Sequence, residues 1–131
     1  FLVWHPARYA ELLAHKIATY GADTWLVNTG WSGGSYGVGN RMKLSITRAI
    51  IDAINNGSLR DVPTVVDPVF GFQVPTACPG VPSAVLNPRG TWAEPEAYDA
   101  TARKLAGMFV KNFQTYESGA SEAIRNAGPK V

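Results

Sequence analysis

The chain has 131 residues, enough for one hydrophobic core and short for two. Apolar residues at 46% and charged residues at 17% place it among globular chains, and no stretch approaches the roughly 20 continuous apolar residues of a membrane-spanning helix. A formal net charge of +2, with the basic residues scattered along the chain, lacks the clustered cations of a nucleic-acid-binding surface, so neither nucleic acid nor a membrane is expected as a partner.

Taken in order, Phe1-Leu2-Val3-Trp4 is apolar, begins without methionine and has neither the basic flank nor the length of a signal peptide, so it reads as an internal strand of a longer chain. His5-Pro6 then favours an extended or turn dipeptide with proline in the first helical turn. Tyr9, Leu12, Leu13 and Ile17 recur at helical spacing beside Ala10 and Ala14, while Arg8, Glu11 and Lys16 lie off that stripe, and Gly21 supplies a C-terminal cap. Asp23–Asn28, rich in β-branched and aromatic residues, predicts a strand entering a buried sheet. Thr29–Asn40 reads TGWSGGSYGVGN, five glycines in twelve residues, a loop whose backbone takes positive φ or approaches something closely.

Arg41–Leu44 suits a short strand or turn, and from Ser45, a fitting N-cap, the stripe Ile46, Ala49, Ile50, Ala53 and Ile54 marks a second amphipathic helix ended by Gly57. Thr64–Val74, interrupted by Pro68 and Gly71, predicts two short strands meeting at a bulge or turn. Pro75–Pro88 carries four prolines and little periodicity, the mark of a connection along the surface. Thr91 and Glu94 have capping-box spacing, Pro95 sits in the first turn, and Tyr98, Ala102, Leu105, Phe109 and Phe113 form one stripe of a helix running to about Tyr116. A last short helix is expected over Ala120–Asn126, stopped by Gly128-Pro129. The chain shows no repeat and no internal boundary, so residues 1–131 form one α/β unit, helices on a small mixed sheet with the glycine loop opening at its edge.

The glycine loop is the main chemical signal, because glycines let backbone N–H groups converge on phosphates. Gly34 and Gly39 have Walker A spacing, but Asn40-Arg41 stands where the lysine and the magnesium-ligating hydroxyl belong, so this is not a P-loop. Two readings stay open, a loop that touches a ligand and a turn that glycine merely permits. Arg41 after the loop, with Thr47 and Arg48 on the helix that follows, puts a planar cation and a hydroxyl near its mouth, as a nucleotide would require. Spacing alone favours the plainer alternative, a surface arginine and a helix-start threonine bonding locally.

The other candidates are weaker. His5 and His15 have no carboxylate or cysteine at ligand spacing, Cys78 has no histidine nearby, and Asp61 and Asp67 read as loop carboxylates. The single cysteine forms no internal disulfide and fits a reducing, cytoplasmic compartment. Trp25, Trp31 and Trp92 fit core or lid packing better than base stacking.

The run WLVNTGWSGGSYGVGNRMKLSITRAIIDAI from Trp25 to Ile54 resembles the nucleotide-pocket region of the ATP-dependent phosphoenolpyruvate carboxykinases. His5-Pro6 with Tyr9-Ala10, the run DPVFGFQVPTACPGVPSAVLNPRGTW from Asp67 to Trp92, Leu105–Phe113 and the closing Ala127-Gly128-Pro129 are similar to the end of that family in the same order. The resemblance implies a C-terminal fragment of an enzyme of gluconeogenesis, a lyase and decarboxylase. That enzyme converts oxaloacetate and ATP to phosphoenolpyruvate, CO2 and ADP in a cleft between two α/β lobes, using Mg2+ and often Mn2+. By resemblance, Arg41 and Met42 line the adenine and Thr47 contacts the nucleotide. The family's phosphate-binding lysine loop, its metal-binding histidine and aspartate and its oxaloacetate-binding arginine match nothing here and are expected upstream of residue 1. The expected partner is therefore the rest of the carboxykinase chain, and the fragment alone is expected to be inactive. The alternative function is a stand-alone nucleotide-binding or structural module without catalysis.

Overall fold

Local sequence dictates the first helix. In the computed structural model, which describes residues 3–131, α1 runs Pro6–Tyr20, with Pro6 in its first turn and Gly21 closing it in the left-handed conformation at φ 59°. The His5 Nδ1 accepts from the Ala7 N–H at 3.2 Å, so this imidazole serves as an N-cap. Its ring meets Tyr116 edge-on at 6.2 Å, which brings the 3-10 turn Glu117–Gly119 up against the start of α1. Of the strand expected at the N-terminus, Phe1 and Leu2 lie outside the described residues, and Val3 and Trp4 are not in a strand.

The strand expected over Asp23–Asn28 does not form. A ladder needs a neighbour to take its N–H and C=O groups, and the strands among the described residues pair only as two antiparallel hairpins. Trp25 instead lays its ring against the small cluster of Ala53, Leu59 and Cys78. The first hairpin joins β1, Trp31–Ser32, to β2, Asn40–Arg41, with Trp31 opposite Arg41. The second joins β3, Thr64–Val66, to β4, Gln73–Pro75, as the valine run broken at Pro68 and Gly71 predicts. The α/β character expected from the sequence is thus present, as helices with small antiparallel sheets rather than one mixed sheet.

Helix α2 spans Leu44–Asn55 and starts from Lys43, so Ser45 lies inside the first turn and is not the N-cap. The extended Lys43 backbone, at ψ 137°, already offers its carbonyl to the Ile46 and Thr47 N–H groups. Asn56 ends the helix and Gly57 follows at φ 78°. Two short helices, α3 at Ser83–Leu86 and α4 at Pro88–Thr91, lead into α5, Pro95–Phe113, which stops short of Tyr116. The Thr91–Glu94 capping box is not made, because Thr91 closes α4 and its hydroxyl donates to the Pro88 carbonyl at 2.7 Å. α6, Glu122–Asn126, is capped by Ser121.

Burial is sparse. Ala53, Leu59, Cys78, Ala102 and Ala106 are the buried apolar residues, and no large side chain among the described residues is fully enclosed. The chain exposes 9875 Å², against about 6,700 Å² for a compact monomer of its 14.1 kDa mass. Part of the exposed apolar surface lies on the helical stripes: Leu12 and Leu13 on α1 and Leu105, Met108 and Phe109 on α5 are exposed, which leaves those amphipathic faces incompletely covered.

Candidate functional site

The glycine-rich segment folds as a hairpin whose two arms cross main chain to main chain. A side-chain carbon at Gly39 would stand 2.6 Å from the Gly34 carbonyl oxygen and 2.9 Å from that of Ser32, and one at Gly34 would stand 2.9 Å from the Gly39 nitrogen. No other residue fits either place. Gly33 and Gly37 turn the chain at φ 82° and 87°. At the tip, the Val38 and Gly39 N–H groups both donate to the Ser35 carbonyl at 3.0 Å. Those two donors are therefore turned inward, and the tip does not have the form of a phosphate cradle. Of the two readings left open by the sequence, the glycines serve the hairpin's own geometry.

The base of the hairpin is tied down twice. Ser32 Oγ donates to Thr91 Oγ1 at 3.2 Å, which joins β1 to α4, and the Met42 N–H donates to the Gly30 carbonyl at 3.0 Å. What the hairpin then offers to the outside is side chains. Arg41 is exposed at the end of β2, and its guanidinium carbon lies 5.5 Å from the centre of the Trp31 ring. Tyr36 meets the same ring edge-on at 6.4 Å. Met42 is half-buried, and Thr47, also half-buried, sits in the first turn of α2. The short Arg41–Leu44 passage from β2 to α2 thus brings Arg41, Met42 and Thr47 to one junction.

Two grooves lie elsewhere. One of about 330 Å³ runs between β3, β4, α3 and the start of α5, past Val65, Asn87 and Tyr98. Another of about 370 Å³ is bordered by Val69, Arg89, Asp99, Arg103 and Lys130. Neither reaches Arg41, Met42 or Thr47. In the second groove Arg89 grips Asp99 with two bonds of 2.9 and 3.1 Å. The hydrogen bond from Arg89 holds the Asp99 carboxyl below the usual carboxylate range.

The remaining candidates settle into structural work. Asp67 accepts from the Val69 and Phe70 N–H groups at 2.9 and 2.6 Å, fixing the turn between β3 and β4. Cys78 lies in the small core, where burial pushes its thiol up and away from the reactive thiolate. Trp31, expected from the sequence to pack in a core or lid, does not pack in a core. It is 52% exposed and faces Arg41 rather than a core. The signal that could have found it is an aromatic and an arginine flanking a glycine-rich hairpin, which can become cross-strand partners.

A family model described as phosphoenolpyruvate carboxykinase matches residues 1–84. Phosphoenolpyruvate carboxykinase (ATP) 2 of Salinibacter ruber is 55% identical over 131 residues, which is all of this chain and 25% of that protein. The phosphoenolpyruvate carboxykinase (ATP) of Dictyostelium discoideum is 54% identical over 129 residues, covering 98% of this chain and 23% of its own length. That of Thermus thermophilus is 53% identical over the whole chain and 25% of its own length. The chain spans about a quarter of the length of the curated relatives it matches. With the family match over residues 1–84 taking in the glycine hairpin and the Arg41–Thr47 junction, the chain belongs to the ATP-utilising phosphoenolpyruvate carboxykinase family.

Proposed function

We infer that this chain acts as part of a full-length ATP-dependent phosphoenolpyruvate carboxykinase, in which residues 1–131 belong to one nucleotide-binding lobe and supply one wall of the adenine pocket. The observation that carries this reading is the identity of 53% and 55% along the whole of this chain to proteins named phosphoenolpyruvate carboxykinase (ATP), together with a hairpin that leaves Arg41 exposed beside Met42 and Thr47. The parent enzyme converts oxaloacetate and ATP to phosphoenolpyruvate, CO2 and ADP, a gluconeogenic reaction of the cytoplasm.

The junction suits a purine. Arg41 presents a flat, delocalised cation to the face of the base. The Met42 N–H is engaged by the Gly30 carbonyl, so Met42 contributes its thioether side chain and its carbonyl, the latter an acceptor suited to the exocyclic amine of adenine. Thr47 adds a hydroxyl at the start of a twelve-residue helix, where an oxygen-rich ligand is favoured. Held this way, the nucleotide is oriented for transfer of its terminal phosphoryl group. The residues present do not fit a divalent ion, since the described residues contain no group of three or more His, Cys, Asp or Glu side chains. The Mg2+ and Mn2+ ions are assigned to residues outside this stretch.

The exposed stripes of α1 and α5, in a chain whose whole accessible surface is 9875 Å², favour a lobe that packs on the remainder of a larger enzyme over an independent module. The test is an assay of the full-length polypeptide carrying this stretch, for nucleotide- and metal-dependent formation of phosphoenolpyruvate from oxaloacetate with release of CO2. Turnover with ATP supports the reading, and a folded full-length protein without nucleotide-dependent decarboxylation overturns it. Residues 1–131 produced alone are expected to yield no phosphoenolpyruvate and to associate through the exposed stripes, which light scattering would detect.

A further inference from the structure

Trp31 and Arg41 are direct cross-strand partners in the first hairpin. Side chains on directly opposed residues of an antiparallel pair stand on the same face within contact range, and here the guanidinium carbon lies 5.5 Å from the indole centre. An arginine side chain free in solvent samples many rotamers and loses that freedom when it grips a ligand. An arginine already leaning on an indole has lost part of it beforehand. Trp31 is in turn met by the edge of Tyr36, and the glycine crossing at Gly34 and Gly39 fixes the register that brings Trp31 opposite Arg41.

A guanidinium is planar and has two faces. A single indole contact, on a residue that is itself exposed, leaves the guanidinium open to a ligand. We propose that Trp31 is a positioning residue for nucleotide binding, holding the Arg41 guanidinium by a cation–π contact so that its opposite face is set for the adenine ring. The inference rests on Arg41 being an adenine contact and adds to that reading the residue that sets its orientation. Trp31 touches no reacting atom, so its effect falls on nucleotide affinity and not on the chemical step.

The test is steady-state kinetics of the full-length enzyme carrying Trp31→Leu, Trp31→Phe, Arg41→Leu or Trp31→Leu with Arg41→Leu. Leucine keeps an apolar side chain in the strand but has no ring quadrupole, and phenylalanine restores a ring. Trp31→Leu is expected to raise KM for ATP about two- to fivefold, the range of an exposed cation–π contact, with kcat and KM for oxaloacetate unchanged. Trp31→Phe should recover part of that loss, and in the Arg41→Leu background Trp31→Leu should add nothing further. The proposal is overturned if leucine and phenylalanine behave alike, if Trp31→Leu alters kcat and both KM values together, or if its effect persists without Arg41. If Arg41→Leu leaves KM for ATP unchanged, the adenine role of Arg41 itself fails. If only the Trp31 variants are silent, that role stands and the positioning role alone is lost.

Discussion

The two hairpins solve the same problem with opposite materials. In β3–β4 the side chains hold the turn: Asp67 receives two backbone N–H groups, Thr64 Oγ1 donates to Gln73 Oε1 at 2.7 Å, and Phe70 stacks on Phe72. In β1–β2 the main chain does that work through the Gly34–Gly39 crossing, and the side chains at its ends, Trp31 and Arg41, are left to face outward. A hairpin closed by its own backbone can keep its outward side chains for a ligand. One closed by side chains has used them up.

Substitutions at the two turns separate these designs, and the largest effect is expected at Gly39. Gly39→Ala in the full-length enzyme places a methyl against two carbonyl oxygens of the opposite arm. Overpacking of this kind costs about 1–3 kcal/mol, and the arm must open, so KM for ATP should rise on the order of tenfold. Gly37→Ala is the sharper control, since nothing lies within 4 Å of that position and only its φ of 87° is strained; a smaller effect, about 1 kcal/mol, is expected there. Equal effects at the two positions would mean that the crossing does not hold the hairpin.

Asp67→Ala comes next. Loss of its two acceptor bonds should lower the protection of β3–β4 amides in hydrogen exchange by about 1 kcal/mol and leave KM for ATP unmoved. A rise in that KM would join the two hairpins in one site and remove the contrast.

The smallest effect belongs to the exposed Arg89–Asp99 pair. Because the folded state holds the Asp99 carboxyl below its ordinary range, its contribution is complete above the usual carboxylate pKa. It is lost as pH falls through the depressed value. Asp99→Asn should therefore slightly lower amide protection in α4 and the start of α5 near neutral pH, by an amount that added salt reduces, and flatten the acid limb, so that the two proteins converge as pH falls below the depressed value.

What the sequence revealed was local. Pro6, the Tyr9–Ile17 stripe and Gly21 contain all that α1 needs, and Pro95 with its following stripe does the same for α5. The β3–β4 hairpin was legible because its valine runs are parted by Pro68 and Gly71. The Asp23–Asn28 strand failed because a ladder depends on a partner that no local pattern supplies. Ser45 and Thr91 were misread as caps because a helix start is decided by backbone carbonyls and competing hydroxyl bonds as much as by residue type. At the site, Arg41, Met42 and Thr47 were reached through family resemblance, while spacing alone left them ordinary. The Trp31–Arg41 partnership was hidden because glycine content signals a turn without fixing which residues face each other across it.

Where adenine lies is the central question. Photolabelling of the full-length enzyme with 8-azido-ATP, followed by mass spectrometry of the labelled peptides, tests this. Label on the peptides spanning Trp31 to Thr47, suppressed by excess ATP, is the expected result. ATP-protected label confined to peptides outside that stretch would contradict the account.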